Sequence, residues 1–360
     1  MPMPMPMPMP VPTSLRSVLA ALAAGLAAAT CLTAAGPAIA GPAPAQPRGG
    51  ACSSAVSVQR FSDALDKTTY EGTVVGNFSA LAVDRDGAIA ALSDRSALFT
   101  LDPTTLRPRS VVPLADESGA ALDSEGLVVD RDGSRLVSSE TEPSVRRYGR
   151  DGTLLGRLPV PDALRVAPAG RATANQTFEA LTLLPGGRTL LAGMEGALAG
   201  DTPGLVRLQT WQRDSHRDFR LGHQYGYRTD SGLGLVEAAA VPDGRFLVLE
   251  RGFTAGVGNT VRLYLADLRH ATDTSRVEAL TGQDGVRLVR KTLLADLADC
   301  PSLGATAKQP QPNPLLDNIE GMAVTGATGT TRDALRVLLV SDDNQGATQT
   351  TRLYCLRVRL

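Results

Sequence analysis

Histidine, cysteine and aromatic side chains are all scarce in this 360-residue chain, which has three His, four Cys and 4% Phe, Trp and Tyr together. His216, His223 and His270 stand at no ligand-pair spacing, and there is no Cys-x-x-Cys, so a zinc site is disfavoured. No Gly-x-Ser-x-Gly elbow is present, which argues against a Ser-His-Asp hydrolase. A Gly-rich phosphate loop and a dinucleotide fingerprint are missing too. The net charge of -1 gives no electrostatic case for nucleic acid or an acidic membrane surface, and the basic residues are nearly all Arg. Helical amphipathic periodicity is almost absent after the leader. Instead, Gly, Pro, Asp and Asn punctuate short apolar and β-branched runs, the pattern of an all-β protein.

The start of the chain reads as a targeting segment. Met1 to Pro10 alternates Met with Pro, and with no N–H on every second residue it can form neither helix nor central strand. Arg16 supplies a thin positive region, Val18 to Ala35 an apolar one, and Ala38-Ile39-Ala40 a small-residue cleavage site. Residues 1–40 are therefore expected to be a secretory signal; the alternative, an uncleaved anchor, meets an Ala-rich run short of a full span. Cys31 follows Thr30, a poor lipobox. Residues 41–54 read as a linker and 55–360 as one domain. Cleavage leaves Cys52, Cys300 and Cys355, so an oxidising compartment predicts one pair and one free thiol. Cys52 with Cys300 is the expected pair, since both lie in loop-like sequence flanked by Ser or Pro, whereas Cys355 sits in an apolar strand. The mature chain is expected to be a secreted monomer with no membrane insertion.

What is abundant is a repeat. Ser79-Ala80-Leu81 runs to Asp86-Gly87 and returns to Asp94, and Glu125-Gly126-Leu127 runs to Asp132-Gly133 and returns to Glu140. Glu179-Ala180-Leu181 turns at Gly186-Gly187 and ends at Glu195; Glu237-Ala238-Ala239 turns at Asp243-Gly244 and ends at Glu250. A fifth unit runs from Glu320-Gly321-Met322 to Ser341-Asp342. Each unit is a hairpin followed by two more strand-like segments, which makes the four-stranded blade of a β-propeller. The motif count predicts five blades, with a sixth possible between Leu268 and Asn318. The last unit runs out of chain after three strands, so Ser57 to Phe61 is expected to complete it and close the ring. Pro301 to Pro314 reads as a surface excursion.

First strands of blades line a central channel, so Glu125, Glu179, Glu237 and Glu320 should converge at its mouth. Asp94, Glu140, Glu195, Glu250 and Asp342 should form a neighbouring outer set. Gathered carboxylates need compensation. Arg95 and Arg251 could pair with them, some could stay protonated, or a hard cation such as Ca²⁺ could sit among carboxylate and amide oxygens. The metal candidates are Glu125, Glu179, Glu237, Glu320, Asp342 and Asn344. The plainer alternative has these acids capping strand ends at blade junctions.

The strings Ser79-Ala80-Leu81 to Ser93-Asp94-Arg95, Asn175 to Glu179, Val248-Leu249-Glu250-Arg251, and Asp317-Asn318-Ile319-Glu320-Gly321 with Ser341-Asp342-Asp343-Asn344 resemble the phytase-like family, "esterase-like activity of phytase". The likeness runs over about residues 55–358 and implies a secreted bacterial β-propeller acting on a phosphate or carboxylic ester. Under that reading Glu179 and Glu320 are the catalytic candidates and Arg95 and Arg251 bind a small ester or phosphoester substrate, with Ca²⁺ assisting. The alternative is a non-catalytic extracellular propeller that binds a ligand or a cell-envelope partner.

Overall fold

The computed structural model describes residues 50–214, 218–282, 285–328 and 334–360; the expected signal, Cys31 and His216 lie outside them. The chain enters with β1 (Gly50–Ala51) and β2 (Val56–Ser62), then a small ribbon, β3 (Thr68–Tyr70) and β4 (Thr73–Val75). Blade one is β5 (Phe78–Val83), β6 (Ile89–Ser93), β7 (Ala97–Leu101) and β8 (Pro108–Pro113). Blade two is β9 (Ser124–Val129), β10 (Arg135–Ser139), β11 (Ser144–Tyr148) and β12 (Leu154–Arg157). Blade three is β13 (Phe178–Leu183), β14 (Thr189–Met194), β15 (Leu205–Arg213) and β16 (Phe219–Arg228). Blade four is β17 (Gly234–Ala240), β18 (Phe246–Thr254), β19 (Gly258–Asp267) and β20 (Arg290–Asp296). Blade five contains β21 (Ile319–Thr328), β22 (Ala334–Ser341) and β23 (Leu353–Arg359), and β2 pairs with β23 as its fourth strand. β1 adds outside β2, so the stretch read as linker joins the blade from Gly50 onward.

All neighbours within a blade are antiparallel, and the first strands contact one another in the cycle β5, β9, β13, β17, β21 and back to β5. Five blades therefore close the ring. Among its described residues, the interval from Leu268 to Asn318 holds β20, a short 3₁₀ turn and loops rather than a sixth blade.

Blades stack face to face, so inner strands are buried on both sides and read as apolar runs rather than as an alternation. β6, Ile89–Ser93, is buried at every position. The core is a series of inter-blade layers. Phe178 packs edge-on against Trp211 at 5.9 Å, and the Trp211 indole N–H donates to the Pro159 carbonyl at 2.7 Å. Phe78 meets Phe99 edge-on at 5.5 Å.

Near the axis the strands approach so closely that two of the Glu-Gly pairs explain themselves. A Cβ on Gly126 would lie 2.5 Å from Leu181 Cβ and 2.7 Å from Ser138 Oγ, and one on Gly321 would lie 2.6 Å from Val340 Cγ1. Gly126→Ala is accordingly expected to cost about 1–3 kcal/mol through overpacking. Chemical denaturation checks it, and an unchanged midpoint would show that the blades can separate freely there.

Candidate active site

A β-bulge sits near the start of each first strand and sets which side chain leaves the ladder there. A bulge places one extra residue opposite the partner strand, leaving it out of the ladder. In β5 the extra residue is Ser79, between the pairs Phe78↔Ser93 and Ala80↔Leu92. In β13 it is Glu179 and in β21 Glu320, while in β9 Glu125 and Gly126 together face Ser138. Just past each second strand, the N–H groups of Asp94, Glu140, Glu195 and Asp342 donate to the carbonyls of Asn77, Asp123, Thr177 and Asn318 at 2.8–2.9 Å. Each acceptor lies two residues before the bulge position, so four blades use one local construction. Together they line a cavity of about 610 Å³.

Blade four departs from the construction by one residue. Its bulge falls at Val236, between Leu235↔Glu250 and Glu237↔Leu249, so Glu237 stays in the ladder. Glu237 is 1% exposed and does not line the cavity. Its carboxyl accepts the Ala238 N–H at 2.8 Å. That corrects its expected place among the metal ligands. The same shift moves the outer position from Glu250 to Arg251. Successive strand residues face opposite ways, so Arg251 enters the cavity. Glu250 turns instead to the Tyr227 hydroxyl (2.7 Å), the Asp230 N–H (2.8 Å) and the Lys291 ammonium (2.5 Å).

The remaining expected residues do meet. Glu125, Glu179, Glu320, Asp342, Asn344, Arg95 and Arg251 all line the cavity. Asp94, Asp123, Glu140 and Glu195 join them, giving eight carboxyl groups against two guanidinium groups. Asp123 lay outside the strand-end pattern, and its only sequence signal was its place two residues before Glu125. Asn175, quoted only as the start of the string Asn175 to Glu179, joins Asn259, Gln309 and Gln349, which belonged to no motif, in segments around the mouth. Gln309 belongs to the 301–314 excursion, which forms part of the wall.

Electrostatics follow from burial. Glu125 and Glu179 have pKa values well above the usual carboxylate range, first because they are desolvated and second because other cavity carboxyls surround them. Burial raises Glu140 to about 7, although the Thr177 N–H at 3.0 Å opposes it. Asp342 rises to about 8 through burial and the neighbouring Glu320. Burial also raises Glu195 and Glu320, where Arg251 acts in the other direction. Arg251 Nη2 donates to Glu320 Oε1 at 2.9 Å, and Asn318 Nδ2 donates to the same oxygen at 3.0 Å. Arg251 Nε is buried and makes no hydrogen bond among the described residues. Arg95 is exposed, 3.5 Å from Asp94.

Among the described residues, two groups of carboxyl oxygens come within 4.8 Å of one another: Asp123 with Glu125 and Glu140, and Glu140 with Glu179 and Glu195. The donor set is oxygen alone, carboxylate and amide, which fits a hard cation and not a soft one. Cys52 is disulfide-bonded to Cys300 across a sequence separation of 248, and Cys355 is free, half-buried in β23 beside Arg60 Nε at 3.3 Å. No helix among the described residues is long and apolar enough to cross a membrane.

A curated relative, an uncharacterized secreted protein of Arthroderma benhamiae, is 26% identical over 180 residues, 38% of this chain and 35% of that protein. The matched segment thus spans about a third of the relative's length. Among solved structures, a gluconolactonase of Xanthomonas campestris superposes with a TM-score of 0.39 at 15% identity, covering 80% of this chain and 73% of that one. Virginiamycin B lyase of Staphylococcus aureus gives 0.37 at 7% identity, covering 81% and 68%. The propeller assignment rests on the strand pairing described above. The family described as esterase-like activity of phytase matches residues 73–345, a span that holds every first-strand bulge and every acid of the cavity. This chain belongs to the Phytase-like family.

Proposed function

We propose that the acidic cavity hydrolyses a small phosphate or carboxylic ester with the help of a hard divalent cation, Ca²⁺, in an exported, monomeric protein. Family membership supports hydrolysis, and the disulfide and the secreted relative support export. The observation that carries the reading is Glu140, shared between two clusters of three carboxyl groups. Asp123, Glu125 and Glu140 would hold the ion, leaving Glu179 of the second cluster free for proton transfer. When bound, such a cation polarises the ester oxygen and offsets the negative field that would otherwise repel an anionic substrate.

The chain's own groups do the rest. Arg251, fixed by Glu320 and with Nε unengaged, presents a donor to a substrate oxyanion. Glu179 takes a proton from the attacking water as its oxygen bonds to phosphorus or to the acyl carbon. That proton then passes to the departing alkoxide oxygen. Glu320 positions Arg251.

Assays with p-nitrophenyl phosphate and p-nitrophenyl acetate, in Ca²⁺ and in chelator, test this. Glu179→Gln is expected to lower kcat by about 10²- to 10⁴-fold while leaving Ca²⁺ binding in place. Glu125→Gln should weaken Ca²⁺ binding measured by calorimetry. Absence of turnover above background, with stability unchanged by chelator, would assign the cavity to a non-catalytic binding propeller instead.

A further inference from the structure

Blade four has an unusually long middle hairpin. β18 and β19 run nine and ten residues, against five each in blades one and two, six and nine in blade three, and eight and seven in blade five. The extra length carries the cross-strand pair Phe253 and Asn259 to the cavity wall. Phe253 is 54% exposed and is the single apolar side chain that lines the cavity among the described residues. Its partner is the opposite. Asn259 is 1% exposed, yet neither its amide oxygen nor its amide nitrogen makes a hydrogen bond among the described residues.

The 301–314 loop braces this hairpin. Gly258 adopts φ +113, and a Cβ there would stand 2.5 Å from the Pro310 carbonyl oxygen. The Asn259 backbone N–H donates to Gln311 Oε1 at 2.8 Å, and Gln311 Nε2 is buried without a partner among the described residues. The same loop brings Gln309 to the cavity, near the mouth shared with Asn175 and Gln349.

A buried, unpaired carboxamide is costly to fold around and is relieved by a ligand that meets both its donor and its acceptor. A phosphate offers acceptors alone, which leaves Oδ1 unmet. An alkyl or aryl group offers neither. A hydroxyl both donates and accepts, and the C–H face of a saturated ring suits the exposed face of an aromatic side chain. We infer that the Phe253–Asn259 wall binds a sugar ring. This rests on the hydrolytic reading above for the role of that ring as the alcohol side of the ester.

Saturation-transfer NMR on the full chain, with glucose, mannose and cyclohexanol as probes, tests the inference without requiring turnover. Transfer to glucose or mannose and not to cyclohexanol is expected. Phe253→Ala, at an exposed position where folding is not at stake, should weaken sugar binding roughly three- to tenfold. Asn259→Ala, checked for folding by circular dichroism, should weaken it about tenfold or more. No transfer to either sugar, equal transfer to cyclohexanol, or wild-type binding in Phe253→Ala overturns it. Sugar binding without ester turnover keeps the wall and removes the hydrolytic role, whereas turnover of p-nitrophenyl acetate without sugar binding does the reverse.

Discussion

In chelator, the melting temperature of this protein should fall as the pH rises from about 5 to about 8, and millimolar Ca²⁺ should restore it, most strongly at the higher pH. The sign comes from proton counting. Glu125, Glu140, Glu179, Glu195, Glu320 and Asp342 all have folded-state pKa values above those of an unfolded chain. Between the two sets of values the folded protein binds more protons than the unfolded one, so stability declines with pH. The contribution is complete below about pH 4 and is lost as the pH passes through about 7 for Glu140 and about 8 for Asp342. Glu140 taken alone corresponds to about 3 kcal/mol, and the coupled groups add less than their sum.

Carboxylates held low, such as Asp230, Asp267 and Asp273 at about 2, act on the other side. Their stabilisation is present above about pH 4 and is lost only as the pH falls further, so it does not disturb the window. A cation that binds the folded, deprotonated cavity adds about 3 kcal/mol at a hundredfold excess over its Kd. Scanning calorimetry across pH, with and without Ca²⁺, measures both effects. A melting temperature that rises from pH 5 to 8 in chelator, or one that Ca²⁺ leaves unmoved at pH 8, would falsify the ion site.

Removal of the N-terminal strands should have the largest structural effect. Without residues 50–65 the chain is expected to lose cooperative unfolding altogether, because β23 becomes an open edge and the ring loses its closure. The entering segment is anchored at several points. Val56 and Val58 are each 1% exposed, Ser53 Oγ donates to the Leu294 carbonyl at 2.6 Å, and Asp63 pairs with the buried Arg352 at 2.6 Å. Residues Val56 to Ser62 pair along β23 from Val358 to Leu353. A truncated protein with the same thermal midpoint as the full chain would show that closure comes from elsewhere.

Opening only the disulfide should be milder. For a loop of 248 residues the chain-entropy model gives about 5 kcal/mol, a drop on the order of 10 °C, with the blades still formed. Cys52→Ser combined with Cys300→Ser separates the two contributions, since covalent closure is lost and the strand remains.

The amino-acid sequence by itself determined the class, the repeat and the closing strand, and it predicted five blades while leaving room for a sixth between Leu268 and Asn318 that the strand pairing then excluded. Those depend on local signals: turn residues such as Asp86-Gly87 and Asp132-Gly133, the length of apolar runs, and a final unit one strand short. It also brought Glu125, Glu179 and Glu320 to a common mouth, because equivalent positions of equivalent hairpins must share an end. Tertiary structure decided which acids enter the cavity. Residue spacing does not reveal a bulge, and in blade four a bulge one residue early buries Glu237, turns Glu250 away and brings in Arg251. Asp123, Asn259 and Gln309 were illegible for a related reason: their place at the mouth depends on contacts between segments far apart in the chain. A strand's periodicity carries only which of two faces a side chain takes, and a single inserted residue reverses that choice without altering the pattern that announces the strand.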